Sequence, residues 1–302
     1  MKHSNKKSIG IAKHRAVFLV VSAAKFLRIL SKNKIGMLGL VILLFFIVLG
    51  SIGPLIIPRP TSNPTAIYLP PSLEHPFGTD FEGKDVFAQI VHGTPIVLQI
   101  AFLTGFLTVI ISFTLGALSG YRGGLVDSII MFISDVILTI PFIPLFMVLA
   151  TVVKFNEARI IALLLAVFSW PPIARAIRSQ VLALRETTFI EAARIIGYSS
   201  IEIVFREILP NIAAFIAVSF IFASINAIYA QVGLAFLGII PYIGENWGIM
   251  INRAYTYGAI FYSKSFWYNM APIIMIILLQ LGLLLFSRLL EDFLNPRVRV
   301  GE

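Results

Sequence analysis

Residues 185 to 211 read Arg185-Glu-Thr-Thr-Phe-Ile-Glu-Ala-Ala-Arg-Ile-Ile-Gly-Tyr-Ser-Ser-Ile-Glu-Ile-Val-Phe-Arg-Glu-Ile-Leu-Pro-Asn211. Thr188 and Glu191 have the spacing of a capping box, in which a hydroxyl accepts from the amide three residues on and the carboxylate reaches back. A helix is predicted to start there and to end at Gly197, which can take the left-handed conformation of a C-terminal cap. Ser199 and Glu202 make a second box, and Pro210 is predicted to stop that second helix or to begin the next apolar run. The expectation is a helix, a glycine turn and a second helix, set between the apolar runs 160–174 and 211–238.

Outward from this segment the chain is apolar. Of 302 residues, 58% are hydrophobic and 13% charged, and the mean hydropathy is +0.91. Soluble domains are about 45–50% apolar and about 25% charged, so the composition describes an all-α integral membrane protein. Crossing a bilayer takes about 20 apolar residues. Runs at 35–57, 94–119, 128–153 (interrupted by Asp135), 211–238 and 265–287 satisfy this. A sixth, 160–174, is short and meets Pro171 and Pro172; it counts as a span if Arg175 and Arg178 snorkel from its inner end. Six spans put both termini on one side. With the N-terminus inside, eighteen Lys/Arg lie on inner segments and six on outer ones, which predicts both termini in the cytoplasm.

The formal charge of +9 is local: residues 1–34 carry nine Lys/Arg and no acid. Beside a membrane such a segment meets lipid headgroups, and no nucleic-acid partner is expected. Within it, residues 16–30 read as an amphipathic helix on the inner surface. A cleaved signal peptide competes with a first span at 35–57, but the run is too long and residues 54–58 offer no small-x-small cleavage site. The layout is therefore a basic N-terminus (1–34), a first span (35–57), a long outer loop (58–93), a five-helix core (94–287) and a tail (288–302). The core contains the capped segment 185–210 and an outer aromatic hairpin at 239–264 with Trp247, Tyr255, Tyr257, Phe261 and Tyr262.

By itself, segment 185–210 is also what any well-capped helical hairpin looks like. The fuller spacing is more specific. Glu191-Ala192-Ala193, three residues, Gly197, and then Ile208-Leu209-Pro210 resembles the Glu-Ala-Ala loop of permease subunits of ATP-binding-cassette importers. His75-Pro-Phe-Gly-Thr-Asp80 with Gly83-Lys-Asp85, Gly120-Tyr-Arg-Gly-Gly124, Gly233-Leu-Ala-Phe-Leu-Gly238, Trp247-Gly248 and Asn295-Pro-Arg-Val-Arg299 are similar to the dipeptide, oligopeptide and nickel branch of that family, and the N-terminal layout resembles the second of its two permease subunits. The Phe- and Ile-rich spans depart from the pattern without touching these motifs.

The resemblance implies a type I importer permease fold and a peptide solute, with oligosaccharides or nickel as alternatives. It implies a heterodimer with a homologous permease, two cytoplasmic ATP-binding subunits and an extracytoplasmic solute-binding protein. ATP and Mg would sit on those partners, with no cofactor, metal or catalytic residue on this chain. In the family the Glu-Ala-Ala helix docks in a groove of the ATPase. Ala192 and Ala193 would then leave room for close approach, Gly197 would make the turn, Glu191 would cap its helix and meet a donor, and Arg194 and Tyr198 would be rim contacts.

Other features point elsewhere. Gly78-Thr-Asp-Phe-Glu-Gly83-Lys84-Asp85 fits a phosphate-binding loop up to its last position, where Asp85 replaces the Ser or Thr that holds Mg²⁺. Neither a thiol site nor a disulfide is possible without cysteine, and His3, His14, His75 and His92 fall outside the spans at no ligand spacing. Asp135 is an acid within a span, and Arg175 or Arg178 is placed to reach it; an ion pair, a gate and a proton relay are its readings. A proton-coupled secondary transporter using Asp135 is thus the different-class alternative. Gln99, Asn226 and Gln231 either line a pathway or bond neighbouring helices.

Overall fold

The computed structural model describes residues 33–294. The predicted surface helix at 16–30 and the Asn295–Arg299 motif lie outside that range. Within it the chain is helical, and the only β pairing among the described residues is an isolated bridge between Thr79 and Asp85. Ten helices organise it: α1 (Lys34–Ser51), α2 (Val86–Arg122), α3 (Gly124–Thr139), α4 (Phe142–Val152), α5 (Ala158–Ser169), α6 (Pro171–Arg185), α7 (Thr188–Ile195), α8 (Ser200–Phe236), α9 (Trp247–Thr256) and α10 (Phe266–Leu294).

Four stretches are long and apolar enough to cross a membrane, namely Lys34–Ile56 (α1 and the short turn after it), α2, α8 and Ser263–Leu294, which contains α10; the bent pairs α3/α4 and α5/α6 bring the number to six. The third predicted span is therefore two helices meeting at 90°. Pro141 is the cause, because it has no amide to continue the ladder and its ring collides with the turn before it. The fourth is bent by 49° at Trp170, ahead of Pro171 and Pro172. Across the bend the Trp170 carbonyl accepts both from the Ala174 amide at 3.0 Å and from Ser112 Oγ of α2 at 2.9 Å, so α2 grips the fourth span at its break. Beyond the bend α6 continues to Arg185, well past the predicted limit at 174.

α2 is the central helix, with α1, α3, α5, α6 and α8 packed on it. It starts at Val86, eight residues before the predicted span, because Asp85 caps it by accepting from the Ala88 amide at 2.6 Å. Its 37 residues reach about 55 Å, longer than a hydrocarbon core of about 30 Å. α1 lies along α10. Asn33 caps α1 through the Gly36 amide and donates to Asp292 of α10, and Gly39 lets the helices touch, since a Cβ there would stand 2.4 Å from the Phe286 nitrogen.

The second half of the long loop folds onto α9. Trp247 is fully buried, its ring 5.7 Å from that of Phe46, and its indole N–H donates to the Ile90 carbonyl. Trp247 thus anchors the hairpin at 239–264 from inside, while Phe261, Tyr255 and Tyr257 stay exposed, Tyr257 with its ring stacked 4.4 Å from that of Phe81.

Candidate functional site

At the end of α2 remote from the long loop, α7 and the start of α8 form the predicted helix, turn and helix, with two differences. Thr187, one residue earlier than expected, is the N-cap of α7, and its hydroxyl donates to the Leu184 carbonyl and caps nothing. Glu191 is then one residue too far along for a reciprocal box, so the predicted Thr188/Glu191 pair does not form. The Ser199/Glu202 box does form: the Glu202 amide donates to Ser199 Oγ and the Ser199 amide to Glu202 Oε2.

Between them Gly197 has φ +93. Its amide donates to the Arg194 carbonyl and the Tyr198 amide to the Ala193 carbonyl, the paired bonds of a Schellman motif. The second helix does not stop at Pro210. Residues Ile203–Ile208 form a π turn, and the ladder continues through it as α8. This wider turn makes room for the proline ring where an α-helix would be broken, and Asn211 Nδ2 takes the Glu207 carbonyl at 2.7 Å.

The segment has two faces. Ile190 and Ala193 are buried in a cluster with Ile177, Val181, Ile203, Ile208 and Ile212, which fixes α7 to α6 and α8. Ala192 and Glu191 face outward, so the two alanines do different things: Ala193 packs into this chain and only Ala192 is free for a partner. Arg194 lies over the Tyr121 ring at 5.5 Å, and Tyr198 is half-buried with Arg206 over its ring at 5.7 Å.

Three apolar residues that sequence reasoning passed over complete the outer face. Ile195, Ile196 and Ile201 are 81%, 74% and 71% exposed around the Gly197 turn. Their signal was available: branched apolar residues flank a glycine outside every apolar run, where nothing in the sequence would bury them.

Beside this segment, α6 is held to α3 by two arginines. Arg178 binds Asp127 through Nε at 2.6 Å and through Nη2, and Ser119 Oγ donates to the same carboxylate. Arg175 pairs with Asp135 and donates from Nε to Ser134 Oγ at 2.9 Å. Of the two arginines considered for Asp135, Arg175 takes it and Arg178 is committed to Asp127. The Asp135 side chain remains 64% exposed on this chain. Among the polar span residues, Gln99 and Asn226 face out of the chain. Gln231 does not: it is fully buried between α8 and α2, with Nε2 donating to the Val97 carbonyl, a helix-to-helix bond and no part of an open pathway in this conformation.

At the long-loop end a second polar cluster forms around Asp80. Its buried carboxylate accepts from the Glu82 and Lys84 amides and from Gln89 Nε2. Burial pushes its pKa up against the pull of those donors. In the loop that mimics a phosphate cradle, two backbone amides are therefore already occupied by the loop's own carboxylate, and Lys84 is paired with Glu82. Glu82 also pairs with Arg253 of α9; burial pushes Glu82 up, but Lys84 and Arg253 together hold it below its ordinary value. Tyr242 is pushed up to about 12 by burial and by its hydrogen bond to Glu245.

Comparison with known proteins identifies the framework of this arrangement. The family described as binding-protein-dependent transport system inner membrane component matches residues 112–300, and that described as the N-terminal TM domain of oligopeptide transport permease C matches residues 23–71. The chain is 33% identical over 275 residues to the dipeptide transport system permease protein DppC of Bacillus subtilis, covering 90% of this chain and 85% of that protein. It is 33% identical to DppC of Alkalihalophilus pseudofirmus over 274 residues, covering 89% and 88%. With the oligopeptide transport system permease protein OppC of Bacillus subtilis the identity is 29% over 270 residues, covering 88% and 87%. The chain belongs to the family of inner-membrane permease components of binding-protein-dependent transport systems, in the branch whose relatives are named as dipeptide and oligopeptide permeases.

Proposed function

We propose that this chain forms half of the translocation pathway of an ATP-driven importer of dipeptides or oligopeptides, and that residues 185–210 are where it receives the work of ATP hydrolysis. The observation that carries the reading is the two-faced α7. Its inner face, Ile190 and Ala193, is locked into the span cluster, while its outer face presents Glu191, Ala192, Arg194 and the isoleucines around Gly197. A force applied to the outer face is passed to α6 and α8 because the inner face cannot slip. The partners on this reading are a homologous permease, two cytoplasmic ATP-binding subunits that hold ATP and Mg, and an extracytoplasmic solute-binding protein. Both termini and segment 185–210 then lie in the cytoplasm, in agreement with the Lys/Arg distribution.

Asp135 favours this reading over proton coupling. Paired with Arg175, it is a charged strut between α3 and α6, and a proton carrier would have to break that pair in each cycle. The test is to purify the tagged full chain gently and identify what accompanies it, using wild type, Glu191→Lys and Ile196→Asp. ATP-binding subunits should accompany the wild type and be lost from both variants, with the spans still inserted. Purification without any ATP-binding subunit would overturn the reading, and uptake driven by a proton gradient in proteoliposomes would replace it. The identity of the solute follows from which of a peptide, an oligosaccharide or nickel saturates uptake when the co-purified binding protein is supplied.

A further inference from the structure

Next to the segment just described, α2 and the start of α8 leave a groove of about 180 Å³ open to the side of the molecule. Its walls are Phe113, Ala117 and Leu118 of α2 against Val204 and Phe205 of α8. At its deep end Phe113 meets Phe205 edge to face, with ring centres 5.8 Å apart. At the other end stand Tyr121, Arg122 and Ser200. From Phe113 to Arg122 is about 13 Å along a helix axis. The groove thus runs lengthwise on a membrane span, from mainly apolar toward the bilayer interior, where Thr114 is its one hydroxyl, to cationic and hydroxylated at the bilayer surface.

Charge decides what fits. No carboxylate lines the groove, and Arg122 is exposed without an acidic partner among the described residues. Glu202 is engaged with Ser199 and Arg206, and Asp127 with Arg178. The chain's own N-terminal segment carries nine Lys/Arg and no acid in residues 1–34, so Arg122 repels it. A ligand with one apolar chain and an anionic head matches both ends.

We propose that this groove is a binding site for an anionic phospholipid, with an acyl chain between Phe113 and Phe205 and the phosphodiester on Arg122. It rests on the reading above only for which leaflet supplies the lipid, the cytoplasmic one. Because Val204 and Phe205 belong to the π turn that carries the Gly197 turn into α8, lipid in the groove braces the base of the coupling segment.

The experiment is native mass spectrometry of the full transporter reconstituted in equal phosphatidylglycerol and phosphatidylcholine. Wild type should retain phosphatidylglycerol in preference. Arg122→Gln should lower the retained ratio roughly fivefold, the factor expected for one cation at a membrane surface. Thr114→Trp, which fills the groove from an exposed position, should remove the bound lipid whatever its headgroup. An unchanged ratio in Arg122→Gln overturns the proposal. So does cross-linking of Thr114→Cys, the sole thiol in a chain without cysteine, to another polypeptide, because the groove is then filled by protein. Absence of ATP-binding subunits from the same spectra would count against the coupling role alone, since the lipid ratio is read on this chain with or without them.

Discussion

The Gly197 turn can be tested by changing one atom group. Its φ of +93 lies where an L side chain is strained, and a Cβ built there meets nothing within 4 Å. Gly197→Ala therefore introduces no clash, and its whole effect is the backbone cost of a left-handed residue, about 1–2 kcal/mol. That corresponds to a factor of roughly 5–30 in the population of the turn. Asn tolerates this conformation better than Ala, so Gly197→Asn should fall between the two. The consequence is local: the spans bury none of their surface through this residue, so insertion and thermal stability of the chain should hold. Two readouts should move together in the order Gly, Asn, Ala. One is uptake by the reconstituted transporter at saturating ATP. The other is hydrogen exchange at the Tyr198 amide, whose bond to the Ala193 carbonyl exists only while the turn is made. Equal behaviour of Asn and Ala, or lost uptake with an unchanged Tyr198 amide, would refute the claim that turn geometry is what Gly197 supplies.

Three further outcomes are expected. Arg178→Ala leaves Asp127 without its two-point partner and should lower thermal stability by roughly 1.5–3 kcal/mol, the range for hydrogen bonds to charged groups, whereas Arg175→Ala should cost less because Asp135 is largely exposed; equal melting shifts would contradict this. Glu82 is held below its ordinary pKa, so the stability it contributes is present above its unfolded value and is lost as pH falls through the folded one; Asp80, with its pKa raised, has the opposite sign, and its contribution fades as pH rises through its folded value. Protease protection of the loop at 57–85 should thus fall in acid below the Glu range, and Glu82→Gln should flatten that limb. Finally, deletion of Arg206 together with Pro210→Ala should convert the π turn to α and be better tolerated, in thermal stability, than deletion of one residue from 214–219.

The sequence revealed those features that depend on local chemistry. Apolar runs located the four unbroken span-length helices and the two bent pairs, and Ser199 with Glu202 located a cap that forms as read. Thr187 and Thr188 are both competent caps one residue apart, and only the packing of Ile190 and Ala193 into the span cluster selects the first. Pro141 was visible within an apolar run, but its effect, a 90° turn, depends on how α4 is held against α5. Partner choice among Asp127, Asp135, Arg175 and Arg178 spans sequence separations near 40 and 51, which no helical period connects. Gln231 reads like Gln99 in composition and differs from it only by the neighbour, α2, that covers it.

The π turn ties these observations to one another. It holds one residue more per turn than an α-helix, and one residue of α-helix is about 100° of rotation. Whatever precedes Ile203 is thereby rotated by about that angle relative to where an unbroken α8 would carry it. The elements so placed are the Ser199/Glu202 cap, Ile201 and, through the Gly197 turn, the outer face of α7. Of the two readings its local chemistry allows, Pro210 takes the second: it does not end the helix but stands in the first turn of the apolar stretch Leu209–Phe236. It sits where a regular α turn is costly, and the wider register ahead of it is the arrangement that keeps the ladder continuous, with the Leu209 amide on the Val204 carbonyl. Ile203 and Ile208 bound that register and are buried in the cluster that also buries Ile190 and Ala193. The direction in which the exposed isoleucines point is thus fixed by the proline and the cluster together, and a movement of α7 is a movement of α8 about the same turn.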